Sequence, residues 1–142
     1  MSHRPRGRAT LTSAGMVAAG GMIGTAARAT AEAAFPAMPG AIPWTTFVIN
    51  VMGSLLLGAL LETLVLGGPD EGRRRVVRLA CGTGVLGGFT TYSTFVAETE
   101  QLLRGGAPLT GVGYAVASVA IGVSSAVVGI LAARRLRRGD AR

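Results

Sequence analysis

Ten polar side chains with a hydroxyl or amide stand at depth in the uncharged, apolar stretches of this 142-residue chain and could act together. They are Thr46, Asn50, Ser54, Thr90, Thr91, Ser93, Thr94, Tyr114, Ser118 and Ser125. Thr46, Asn50 and Ser54 recur at i, i+4 and i+8, which draws one stripe down one helix face. Tyr114 and Ser118 are i, i+4, and Ser125 lies two turns further on that face. Tyr92 and Phe95 share another face, with Glu98 one turn beyond. These groups are neutral and able to donate hydrogen bonds. No mid-stretch carboxylate or Lys accompanies them, so a cation or proton path, which wants acids at depth, fits poorly. A column of donors suits a small hard anion that sheds water stepwise, and aromatic ring edges add positive potential. The stretch Gly87-Gly88-Phe89-Thr90-Thr91 predicts a helix break within an apolar window. Backbone freed there needs a protein or watery partner. Convergent carbonyl oxygens would suit a hard cation such as Na+ rather than a transition metal.

The elements that must carry these residues follow from where charge is absent. Residues 9–27, 33–61, 79–97 and 105–133 are uncharged, and each window approaches or exceeds the roughly 20 residues of a membrane helix. We expect an all-α membrane protein with four spans, near 11–34, 44–66, 76–104 and 110–133, the third broken at Gly87–Thr91. A basic lead (1–10) and an Arg-rich tail (134–142) flank them. Phe35–Pro43 and Gly105–Leu109 read as outer turns, Gly67–Arg75 as an inner one. Gly15, Gly20, Gly21 and Gly24 in span one read as packing positions, because small residues let helices approach closely in lipid. Glu62 reads as a wetted residue near the inner end of span two.

Charge placement adds orientation. All fourteen basic residues are Arg, and the net charge is +7. Twelve lie in the lead, the 73–78 loop and the tail, whereas only Arg28 and Arg104 edge the other two links. That bias puts both termini in the cytoplasm, and membrane phosphates, rather than nucleic acid, become the partner of the Arg tail. A cleaved signal peptide fits less well, because the apolar stretch is long and Arg28 would sit at the cleavage site. The single Cys81 excludes a disulfide framework. With His3 alone as well, no nucleophile–base pair or metal cluster is present, and an enzyme is disfavoured.

Gly20–Arg28 (GGMIGTAAR), Phe47–Gly58 (FVINVMGSLLLG) and Gly87–Glu98 (GGFTTYSTFVAE) resemble, in order and spacing, the three motifs of the fluoride channel family Fluc, also called CrcB. The resemblance covers nearly the whole chain, and the third motif is the most specific. It implies a dual-topology, antiparallel dimer with two fluoride pores and one central structural Na+, exporting cytoplasmic fluoride passively. It implies that Asn50, Tyr92, Phe95, Ser93, Thr94, Tyr114, Ser118 and Thr46 line the pore. Backbone carbonyls of Gly87 and Thr90 would hold the Na+. Arg28, Glu98 and Thr91 match further motif positions.

Three departures stand out. Tyr92 replaces the usual first phenylalanine of the aromatic box. Gly122 interrupts the polar track of span four, with Ser125 as a partial substitute. The strong Arg bias suits one fixed orientation rather than two, so an oppositely oriented paralogue is an alternative to a homodimer. Two other classes remain in play. A four-helix proton-coupled multidrug antiporter needs a mid-span acid, and Glu32 and Glu62 lie near span ends. A non-transporting assembly subunit would not need aligned hydroxyl stripes.

Overall fold

The computed structural model describes residues 6–139, and side chains from residue 10 onward. Among the described residues the chain is helical with connecting turns and has no strand. Helix α1 spans Arg6–Ala34 and α2 spans Trp44–Gly67. Then α3 (Gly72–Val77) runs without interruption through a π-helical segment (Arg78–Leu86) into α4 (Gly87–Phe89). Helix α5 covers Tyr92–Arg104 and α6 covers Pro108–Gly139. The basic lead expected over residues 1–10 is already helical from Arg6, and its first five residues lie outside the described ones. The tail continues α6 as far as Gly139, so most of the Arg cluster is presented on a helix.

Local sequence accounts for the boundaries. Phe35–Pro43 holds three prolines and is non-helical, and Pro43, fully buried, abuts the start of α2. Pro108 opens α6, where its missing N–H removes a donor that would be orphaned anyway. The turn before it uses Gly106 at a φ of 85°, a conformation that favours glycine.

The helix interruption is narrower than the expected Gly87–Thr91. Gly87 and Gly88 are helical, whereas Thr90 (φ −75°, ψ 154°) and Thr91 (φ −141°, ψ 122°) are extended. Glycine weakens a helix through its backbone freedom, but close packing can hold it helical. Here a Cβ on Gly88 would stand 2.5 Å from the Gly21 carbonyl oxygen, so Gly88 serves close contact between helices. The same applies along α1, where a Cβ on Gly20 would collide with the Ala80 carbonyl and one on Gly24 with that of Val85. The packing expectation therefore holds for Gly20 and Gly24. Gly15 faces open space. The π-helical turns before the break were not anticipated.

Two pairings organise the rest. Helix α1 lies parallel to the π-helical segment, since Gly20 meets Ala80 and Gly84 while Gly24 meets Val85 and Phe89. Helix α2 lies parallel to α6. Gly58 touches Ala126, and Gly129 touches Leu55 and Ala59, both at distances that leave no room for a Cβ. Toward their C-terminal ends Glu62 Oε1 and Arg134 Nε form an ion pair at 2.7 Å, with the Glu62 side chain only 12% exposed. Glu62 is thus covered and paired, not wetted as expected.

Of the four windows, α2 and α6 alone combine length and hydropathy sufficient to cross a bilayer among the described residues, with mean hydropathies of 1.9 and 2.2. Helix α1 is diluted by Gly, Ala and Thr, and the third stretch is divided at Thr90-Thr91. Few apolar side chains are buried inside the chain: Ile49, Leu102, Tyr114 and Ala133. Large ones such as Leu11, Ile23, Val116 and Val123 are exposed. An apolar surface this extensive needs a covering medium or partner.

Candidate functional site

The break draws its partners from α1, α2 and α5. In an unbroken helix Thr91 N–H would pair with the Gly87 carbonyl. Instead it donates to Asn50 Oδ1 at 2.9 Å, and Asn50 Nδ2 donates back to the Thr91 carbonyl at 3.0 Å. A single carboxamide thus satisfies both backbone groups of one extended residue. The Asn50 amide keeps a second hydrogen beyond that bond.

Thr91 also starts α5. Its Oγ1 accepts from Thr94 N–H at 3.1 Å, donates to Thr94 Oγ1 at 3.0 Å and lies 3.3 Å from Ser93 Oγ. The Thr91 side chain therefore caps the new helix, and Ser93 and Thr94 are gathered into that cap. Thr90 Oγ1 turns back to the Leu86 carbonyl at 2.9 Å. The methyl of Thr90 sits where a side chain on Gly53 would be, so Gly53, not singled out in the sequence, makes room for the break. From the other side Arg28 Nε and Thr25 Oγ1 both reach the Gly88 carbonyl at 3.4 Å. Arg28 is itself held by Glu32 at 3.2 Å, as the i, i+4 spacing predicts.

Beside the break lies a recess of about 290 Å³. Asn50, Gly53, Ser54, Leu57, Thr90, Thr91, Tyr92, Phe95, Ser118 and Val119 line it. The stripe on α2, the first turn of α5 and the middle of α6 therefore converge. The Tyr92 and Phe95 rings lie 6.1 Å apart, and Phe95 and Tyr114 5.5 Å apart. Tyr92 is 79% exposed, so the phenol stands at the rim. Ser118 Oγ is buried and has no hydrogen-bond partner among the described residues.

A second cluster sits beside the recess. Thr46 Oγ1 donates to Glu98 Oε1 at 2.8 Å, and Tyr114 OH donates to Glu98 Oε2 at 3.1 Å. Glu98 lies just past the end of its uncharged window (79–97), at the edge of these donors rather than in mid-stretch. Glu98 joins them, and it engages two of the expected lining residues, Thr46 and Tyr114. The reach from α2 and α6 to Glu98 spans different helices, and sequence spacing gave no sign of it. Gly87 touches neither cluster through a side chain. Gly122 stands opposite Ser54, whose Oγ is 3.7 Å from where a Cβ would be. Ser125 is not among the residues lining the recess.

With this geometry in hand, comparison with known proteins is informative. The sequence model of the family described as "CrcB-like protein, Camphor Resistance (CrcB)" matches residues 15–130. The chain belongs to the CrcB family. The "Fluoride-specific ion channel FluC 2" of Leifsonia xyli is 53% identical over 126 residues, covering 87% of this chain and 86% of the relative. The "Fluoride-specific ion channel FluC 1" of Cutibacterium acnes is 47% identical over 120 residues, 84% of each chain. A relative from Hyphomonas neptunium with the name "Fluoride-specific ion channel FluC" is 42% identical over 85% of this chain and 94% of its own. The matched region contains both clusters, the break and the α2–α6 pair. These CrcB-family relatives carry the names of membrane ion channels, not of enzymes.

Proposed function

We propose that this chain is a fluoride-selective channel subunit that lets cytoplasmic fluoride leave the cell passively down its gradient. The observation that carries this reading is the buried Ser118 hydroxyl, without a hydrogen-bond partner among the described residues, in a recess with the Asn50 amide and the Phe95 ring. A buried polar atom without a partner costs roughly 1–3 kcal/mol, so its retention points to an occupant that accepts a hydrogen bond. The occupant must be small, since neutral donors and a ring edge have to replace its water. The names of the relatives supply fluoride as that anion.

Four spans, with both termini cytoplasmic, follow from the uncharged windows, the Arg bias and the exposed apolar faces. The recess is completed by a second subunit in antiparallel orientation, either the same chain or a paralogue. A Na+ fits the break, because the Gly87 carbonyl is released when Thr91 N–H turns to Asn50, and Thr90 is extended beside it. When bound, the ion supplies positive charge between two main chains. Gly87 and Thr90 would hold it through their carbonyl oxygens.

Purified protein in fluoride-loaded liposomes tests the reading. With the potential clamped by an ionophore, a fluoride electrode should record rapid, chloride-blind efflux. Proton-coupled efflux of an organic cation would instead establish the antiporter. If the chain alone is silent and mixing with an oppositely oriented paralogue restores efflux, the partner is the paralogue. Impermeant labelling of both termini decides orientation: labels on one face only support the heterodimer, and labels on both faces of a conducting sample support the homodimer.

A further inference from the structure

Between the C-terminal ends of α2 and α6 lies an open cavity of about 370 Å³ that shares no lining residue with the recess at the break. Glu62, Leu66, Arg134, Arg137 and Arg138 line it. Arg134, Arg137 and Arg138 are i, i+3 and i+4, so they share one face of α6. Glu62 and Leu66 are i, i+4 on α2. Because the two helices run parallel, both faces meet at one end of the molecule. Glu62 fixes Arg134 through its Nε. Arg137 and Arg138 have no carboxylate within ion-pair distance among the described residues. Among the described residues two guanidinium charges therefore border the cavity without a paired carboxylate, while Leu66 supplies an apolar wall.

Basic residues near a helix C-terminus are expected on dipole grounds alone. That accounts for the charges but not for a cavity between two helices with an apolar wall. We infer that this cavity binds the phosphodiester headgroup of an acidic phospholipid. Arg137 and Arg138 hold the phosphate oxygens by charge-assisted hydrogen bonds, and the acyl chains descend along the apolar α2–α6 surface. A headgroup here is a lipid rather than free phosphate because the cavity opens beside long apolar helices at the Arg-rich end, where anionic lipid is concentrated. The inference concerns lipid binding and does not depend on which ion the recess carries.

Native mass spectrometry of the full-length protein tests it, with dioleoylphosphatidylglycerol and dioleoylphosphatidylcholine titrated separately. Wild type should retain phosphatidylglycerol selectively, and the double variant Arg137→Gln/Arg138→Gln should weaken that binding about thirtyfold, the loss of two basic side chains near an anionic surface. A control, Arg73→Gln/Arg75→Gln, removes equal charge from the α2–α3 side and should leave binding within about twofold of wild type. Equal retention of both lipids by wild type, or unchanged binding in the Arg137/Arg138 variant, would overturn the proposal. So would an equal loss in the control, which would mean diffuse surface attraction. Displacement of the lipid by millimolar inorganic phosphate would reassign the cavity to free phosphate. Fluoride efflux from the same samples reads the recess separately.

Discussion

Ser118 and Asn50 look alike in the sequence, each a member of a polar stripe on an apolar helix, yet the structure gives them opposite relations to their surroundings. Asn50 spends its amide on the backbone of Thr91, whereas Ser118 Oγ, beside the Tyr114 hydroxyl, has no partner within hydrogen-bond distance among the described residues. Ser118→Ala should therefore leave the melting temperature within about 2 °C of wild type, or raise it, because no hydrogen bond is lost. Fluoride efflux should fall by about tenfold or more, since one donor to the anion is gone. A matching drop in melting temperature and flux would show that the hydroxyl is structural. Asn50→Asp should block efflux for two reasons. It sets a carboxylate against the Thr91 carbonyl, and it puts negative charge beside an anion. Asn50→Ala removes the charge argument but orphans two backbone groups, at roughly 1–3 kcal/mol each, so it should lower the melting temperature where Ser118→Ala does not. The expense of Asn50 at depth was legible in its residue type. Its partner, forty-one residues away at the helix break, was not. The same holds for Thr46 and Tyr114, whose common acceptor Glu98 only the fold reveals.

At the scale of the elements, the glycines divide into two kinds. Gly106 is glycine for its backbone angle. Gly20, Gly24, Gly58 and Gly129 are glycine for contact between helices. Gly129→Val should separate α6 from α2 at Leu55 and Ala59 and cost about 1–3 kcal/mol or more, read as a lowered melting temperature and loss of folded protein in detergent. Gly15→Ala, facing open space, should change neither. The break was foreseen over Gly87–Thr91 and falls at the C-terminal part of that stretch, Thr90-Thr91. Composition signals flexibility at Gly87-Gly88, whereas the packing of Gly88 against Gly21 keeps them helical and passes the interruption to Thr90-Thr91. The π-helical run from Arg78 to Leu86 has no signature in hydropathy. The turn between α2 and α3 is braced by Arg78 and Asp70, 2.7 Å apart. The hydrogen bond and charge of Arg78 hold the Asp70 carboxyl below its ordinary range. A depressed folded-state pKa means that the contribution is present above the unfolded value and fades as pH falls through the folded one. The pair is solvent-exposed and screened. Acidification to that range should loosen the turn, seen as faster amide exchange near Asp70, without unfolding α2.

For the whole molecule, the apolar exposure and the one-ended Arg distribution make a single prediction. A chain with twelve Arg in its lead, 73–78 loop and tail and two at the edges of its other links should insert one way. Replacing Arg73, Arg74 and Arg75 by Gln while adding Arg to the Phe35–Pro43 turn should shift the labelled termini toward both faces. Retention of a single orientation in that variant would show that something other than loop charge sets it. The all-helical class and the family were readable from three motifs and four uncharged windows. The sharing of Glu98, the cap on α5 and the headgroup cavity were not, because each depends on which helices lie side by side.

The central claim is that uncharged donors beside a helix break pass a small anion. It is tested most directly by measuring fluoride and chloride efflux in parallel from liposomes holding wild type or Asn50→Asp. The account predicts fast fluoride efflux, negligible chloride efflux and abolition of both in the variant. Wild-type vesicles that release chloride as readily as fluoride, or a variant that conducts fluoride like wild type, would contradict it.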